Sequence, residues 1–233
     1  MKRILIMILV CFIAISLAAC GGQPTVVQED VQEQETPEPT EEPTPEPTPE
    51  PEAGPMDAVV DGGTYTNAYF GFTITVPVRQ VWYTQEELAA MFGIDSSAVD
   101  VSDLSVIELL PLAMSYEASA DPTQVANFGF NFSNTSAPRN DEEAMAVLEM
   151  TAEILDNALG TETIFADPTA AEFDGHHSYI LDFASYFGDE IALSQAMILV
   201  DVEEGSLLFT YTYFTDEQLN DVIASASTLK FSK

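Results

Sequence analysis

The residue with the most chemistry in this sequence is Cys20, which follows Leu17, Ala18 and Ala19 at the end of an apolar run and precedes Gly21, Gly22, Gln23 and Pro24. Its thiol is the last in the chain. Everything beyond it therefore lacks a disulfide framework, a thiol nucleophile and a thiolate metal site, and must be held together by a packed core.

The other reactive side chains are scattered. His176 and His177 are the only histidines. As neighbours on an extended segment they point to opposite faces, and no second cluster supplies the three or four ligands that zinc needs. Their expected role is a turn and the start of a strand. Asp201 to Gly205 and Asn140 to Glu143 gather oxygen atoms but lack the alternating ligands of a calcium loop, so weak binding of divalent cations is the expectation. Ser206 follows a turn, and no GxSxG is present. Carboxylates are so abundant that no pair can be singled out for glycoside hydrolysis. No catalytic residue, metal site or cofactor is expected. Trp82, Tyr83, Tyr65, Tyr69, Tyr211 and Tyr213 fit either a binding groove or the core of a sheet.

The elements that must carry these residues begin with Lys2 and Arg3, followed by an uninterrupted apolar segment from Ile4 to Ala14. The apolar stretch to Ala19 falls short of the roughly 20 residues of a spanning helix and fits a secretory signal. Leu17-Ala18-Ala19-Cys20 resembles the lipobox of bacterial lipoproteins. The resemblance implies that residues 1–19 are removed and that Cys20 becomes the first residue, carrying a diacylglyceryl group. It also implies that the product is held by the bilayer at the outer face of the bacterial cytoplasmic membrane. Two acyl chains anchor stably where one does so only marginally.

From residue 20 to 56 the chain is a tract of Pro, Glu and Thr, with proline at almost every second place between Pro37 and Pro51. It can neither pair its backbone donors nor bury side chains, and it is expected to behave as a disordered, polyproline-II-like stalk. At about 3.1 Å per residue, Gly21 to Met56 would reach on the order of 110 Å when extended.

Residues 57–233 have the length of one globular domain. They hold 29 acidic side chains against only Arg79, Arg139, Lys230 and Lys233, and the whole chain has a formal charge of −33. Such a surface excludes nucleic acid, which needs clustered Lys and Arg. It is repelled by anionic lipid headgroups and favours cations or a basic protein or envelope partner.

Within this domain, Tyr65 opens a short strand. Phe72, Ile74 and Val76 alternate with Thr73 and Thr75 to give its hairpin partner. Three capping boxes predict helices: Thr84 with Glu87 over Gln85 to Phe92, ending at Gly93; Asn140 with Glu143, running to about Leu159 and Gly160; and Thr215 with Gln218. The second helix is expected to bury Ala144, Val147, Leu148, Thr151, Ile154, Leu155 and Ala158. The third is expected to bury Leu219, Val222, Ile223 and Ala226. Strands are expected over Leu104 to Ser115, with Pro111 at a bulge or end, over Val125 to Phe132, Thr161 to Ala166 and Ser178 to Phe183, and in a hairpin of Ile191 to Val202 with Ser206 to Phe214. Leu229 and Phe231 close the chain.

This order predicts an α+β domain, a mostly antiparallel sheet flanked by helices. The opening Tyr65 to Phe72 with Pro77 and Trp82 close behind, the turn of Gly175 and His176 before a strand, and the closing helix running into Thr228 to Phe231 resemble exported domains of the PsbP/Mog1-like α/β/α sandwich. That resemblance covers most of residues 62–232 and implies a non-enzymatic accessory or binding module. The expectation is a lipid-anchored surface protein with an acidic binding head. The alternatives are a secreted hydrolase working with a carboxylate pair and, less well matched because the head has no two-lobed architecture, a solute-binding lipoprotein serving a transporter.

Overall fold

Alternation between Thr64 and Thr75 produces a hairpin, β2 (Thr64–Asn67) with β3 (Phe72–Thr75), that buries Tyr65, Phe72 and Ile74 on one side. The computed structural model describes residues 54–77, 79–92, 103–117 and 125–232. Cys20, the signal segment, most of the stalk and Gly93 lie outside the described residues. A strand not foreseen, β1 (Ala58–Asp61), pairs with β2, and the last strand, β12 (Lys230–Phe231), pairs with β3. Both ends of the head thus join one four-stranded antiparallel sheet in the order β1-β2-β3-β12.

The larger sheet has eight strands: β4 (Gln80–Trp82), β5 (Leu110–Glu117), β6 (Asn127–Ser133), β7 (Glu162–Phe165), β8 (Thr169–Phe173), β9 (His176–Phe187), β10 (Glu190–Val202) and β11 (Gly205–Tyr213). The order is β4-β5-β6-β11-β10-β9-β7, every pairing antiparallel, with β8 also on β9. β7 and β8 therefore divide one edge between two short strands separated by Pro168, which leaves no long unpaired edge for another chain to template on. Pro111 sits at a register shift early in β5, where its missing N–H costs least. Leu104–Val106, expected as strand, is a 3-10 turn capped by Asp103.

The helices are α1 (Gln85–Phe92), α2 (Asp141–Leu159) and α3 (Asp216–Ala226). Each starts where its capping box lies. Thr84 Oγ1 accepts from Glu87 N, Asn140 Oδ1 from Glu143 N and Thr215 Oγ1 from Gln218 N, and Glu87 returns a bond to Thr84 N. Gly160 ends α2 in the left-handed conformation, at φ 73°. Ala144, Leu148, Thr151, Ala152 and Leu155 of α2 are buried, the cluster pressing on Leu181, Phe183, Met197 and Leu208, whereas Ala158 lies on the exposed flank.

The expected layering requires correction. Of the described residues 47% are strand and 25% helix, and the face of the large sheet opposite α2 is covered chiefly by the small sheet rather than by a helical layer. Tyr65, Phe72 and Ile74 of the small sheet pack there against Phe128, Phe130 and Phe209. The domain is thus mostly antiparallel β, in two sheets, and the helix-flanked α/β/α sandwich is not what forms. The physical reason lies in β2 and β3: the face they bury, with Tyr65, Phe72 and Ile74, packs directly on the phenylalanine-rich face of the large sheet and fills the place a helical layer would take.

α3 is also turned relative to expectation. It buries Gln218, Val222 and Ser225, while Ile223 is 60% exposed. Polar anchors set this rotation. Gln218 Nε2 donates to Glu117, Gln218 Oε1 accepts from Phe214 N, Ser225 Oγ donates to Thr75 O at 2.7 Å, and Asp221 pairs with Arg79. The hydrogen-bonding side of the helix faces inward, and the branched side chain of Ile223 is left to solvent.

Candidate functional site

At one end of the large sheet, on the face that carries the small sheet, the strands present small side chains. Ser194 of β10 stands opposite Ala184 of β9 on one side and Tyr213 of β11 on the other, and Ala196 lies one row further, opposite Asp182. Taller residues stand around this floor. Ile164 of β7 is in register with Ala184, and Tyr186 is in register with both Glu162 and Ile191. Ile164, Ala184 and Tyr186 belong to none of the packed apolar clusters. The outcome is an open hollow of about 330 Å³ lined by Ile164, Phe165, Ala166, Asp182, Phe183, Ala184, Tyr186 and Tyr213. Ile164 is 59% and Ile191 51% exposed, so an apolar rim borders the hollow.

Tyr213 donates its phenolic hydrogen to Asp182 Oδ1 at 2.9 Å, across the small floor residues. Burial raises the pKa of this phenol above its ordinary value, and the Asp182 charge, the hydrogen bond and Tyr186 raise it further. Tyr213 therefore stays a donor at physiological pH and fixes the carboxylate in place. The arrangement holds a negative charge between aromatic rings and aliphatic walls, a combination suited to recognising a donor or a cation.

The residues singled out by sequence go elsewhere, with one exception. His176 Nδ1 pairs with Asp201 O at 2.9 Å and its ring lies on Phe231, while His177 Nε2 pairs with Pro138 O at 3.0 Å and its ring meets Tyr179. The two rings thus serve opposite faces of β9. Asp201 Oδ1 accepts from Ala137 N, and Asn140 and Glu143 are used in the α2 cap. Among the described residues, no group of three or more His, Cys, Asp or Glu is placed to hold a metal ion. Ser206 Oγ donates to Thr135 O.

Of the six aromatic candidates, Tyr65 stacks on Trp82 at 5.5 Å and Tyr211 is wholly buried, so these three belong to the core. Tyr83 pairs with Tyr116, and Tyr69 stands 40% exposed beside Phe70. Only Tyr213 reaches the hollow. Sequence reasoning missed Ile164, Asp182, Ala184 and Tyr186. One signal was available: Asp182 interrupts an otherwise apolar run from Tyr179 to Phe183.

No family model matches the chain, and no curated protein matches it. Among solved structures it is similar to the solution structure of cyanobacterial PsbP (CyanoP) from Synechocystis sp. PCC 6803. The identity is 11%, with 75% of this chain and 95% of that one covered, and the TM-score is 0.47. It is also similar to a protein of unknown function from Pseudomonas aeruginosa, at 15% identity, with 49% and 75% covered and a TM-score of 0.34. At these scores no property of either protein is transferred to this chain.

Proposed function

We propose that this chain is an extracytoplasmic lipoprotein, tethered through a diacylglyceryl group on Cys20 at the outer face of a bacterial cytoplasmic membrane, and that its acidic head is a non-enzymatic binding or accessory module. The recognition face is the hollow between β7, β9 and β11. The observation that carries this reading is the pairing of Tyr213 with Asp182 over a floor of small residues, open to solvent and rimmed by the exposed Ile164 and Ile191. Exposed aliphatic and aromatic side chains grouped around a fixed polar group are the composition of a binding surface.

Two measurements test it. In the native host, mass spectrometry of the N-terminal peptide is expected to show Cys20 as the first residue with its thiol acylated, and Cys20→Ala is expected to release the protein from the membrane fraction. Unmodified protein in the culture fluid would overturn the tether. For the recognition face, a photo-crosslinking residue replacing Ile164 is expected to give a discrete adduct on living cells, and one replacing Val59 on the far edge of the small sheet is expected to give none. Equal adducts from both places would remove the hollow from consideration.

A further inference from the structure

Resting on that reading of the hollow, we infer that its occupant is a lysine or arginine side chain of a basic polypeptide segment, with the cationic head on Asp182 and the aliphatic stem lying over Tyr186, Tyr213 and Ile164.

The first argument is local. Asp182 is exposed, and its Oδ1 is held by Tyr213 at 2.9 Å, while its second oxygen has no hydrogen-bond partner among the described residues. A carboxylate fixed in this way, with one oxygen turned to solvent, is a preformed acceptor for an ammonium or guanidinium donor, and such charge-assisted bonds are the strong ones. The rings of Tyr186 and Tyr213 flank the place the cation would take, and aromatic faces attract cations. Glu162, in register with Tyr186, adds a second carboxylate on the same strand face. Ile164 and Ala184 offer the apolar contact that the methylenes of a long basic side chain seek.

The second argument is charge over the whole chain, and it rules between occupants. Residues 20–53 cannot be the ligand, because Lys and Arg are missing between Arg3 and Arg79 while glutamates are numerous. A second copy would bring the same formal charge of −33. Of the basic residues in the head, Arg79 is taken up by Glu117, Glu217 and Asp221, and no Lys or Arg is among the residues that line the hollow. With Asp182 and Glu162 at the hollow and no basic residue among those that line it, the field there is negative and would draw a basic segment in from a distance at low ionic strength.

The test is a titration of the full chain in detergent, followed by amide chemical shifts. The probe is an unstructured peptide of about 12 residues with Lys at alternate positions among Gly and Ser, compared with the same peptide carrying Gln or Glu in place of Lys. Expected are shifts at Ala184, Tyr186 and Tyr213 with the Lys peptide alone, weakened at least about tenfold by Asp182→Asn and less by Tyr213→Phe. If the Gln peptide shifts the same residues equally, the hollow remains a binding face and the cation inference fails. If the Lys peptide shifts only residues elsewhere, or binds Asp182→Asn unchanged, then diffuse attraction to an acidic surface explains it and the inference is overturned. Free choline binding as tightly as the Lys peptide would also overturn it, in favour of a small-molecule site.

Discussion

Arg79 lies 2.7 Å from Glu117 through Nε, is paired with Asp221 through Nη2, and reaches Glu217 at 3.7 Å, so a single guanidinium ties β5 to α3. Among the described residues this is the place where opposite charges gather from separate elements. Glu117 is only 12% exposed, and it also accepts from Gln218 Nε2. Arg79 and its partners therefore fix the rotation of α3 that leaves Ile223 in solvent.

Removing the cation should cost more than removing the pair. Arg79→Ala leaves a largely buried carboxylate beside two other acids and is expected to destabilise the chain by about 2 kcal/mol, reduced from the buried-pair range because the guanidinium is a third exposed. Glu117→Gln in the same chain should recover part of the loss. Urea midpoints of the two single variants and the double variant give the coupling. Additive losses would show that the ion pair does not hold α3.

Gly205 follows the β10–β11 turn, and a Cβ there would overlap the carbonyl oxygen of Ser133 on β6, with Asn134 Cα at 2.9 Å. Both obstacles are backbone and cannot swing aside. Gly205→Ala is expected to cost about 3 kcal/mol or more, or to slip the β6–β11 pairing. Gly160→Ala, with open space around it, should cost only about 1 kcal/mol of left-handed strain. Thermal unfolding of both variants checks the contrast.

Asn140 caps a 19-residue helix that covers the second apolar cluster. Asn140→Ala is expected to lose about 1 kcal/mol, and Asn140→Asp to keep the stability, since a carboxylate at a helix N-terminus serves the same donors. A circular-dichroism melt in which alanine matches asparagine would show that packing alone holds this end.

The buried phenols predict a fall in stability at high pH. Burial pushes the pKa of Tyr65 up to about 12 and raises those of Tyr211 and Tyr213 as well. The folded chain keeps these protons where the unfolded chain releases them. Their contribution is therefore fully present below about pH 10 and is lost as pH rises through the folded-state values. Urea midpoints are expected to fall steadily between about pH 10 and 12, and Tyr65→Phe should flatten the slope. A midpoint unchanged over that window would overturn the account.

Much of this architecture can be read locally. The three helix starts follow from Thr84, Asn140 and Thr215, because a capping bond is made within four residues. The β10–β11 hairpin follows from Glu203-Glu204-Gly205 for the same reason. β1, β4 and β8 are not legible in this way, because Ala58–Asp61, Gln80–Trp82 and Thr169–Phe173 are short edge strands with little burial to pattern them.

By itself the sequence determined the charge, the absence of thiols after Cys20, the three helix starts and the hairpin of β10 with β11, all of which depend on neighbours along the chain. Only the tertiary structure decided that Phe231 pairs with Phe72, that a second sheet instead of a helical layer covers the phenylalanine face, and that α3 turns its polar side inward. It also brought Asp182 to Tyr213 across β10. These contacts join residues from about 30 to about 160 positions apart, and periodicity records which face of an element is apolar but not which other face it meets.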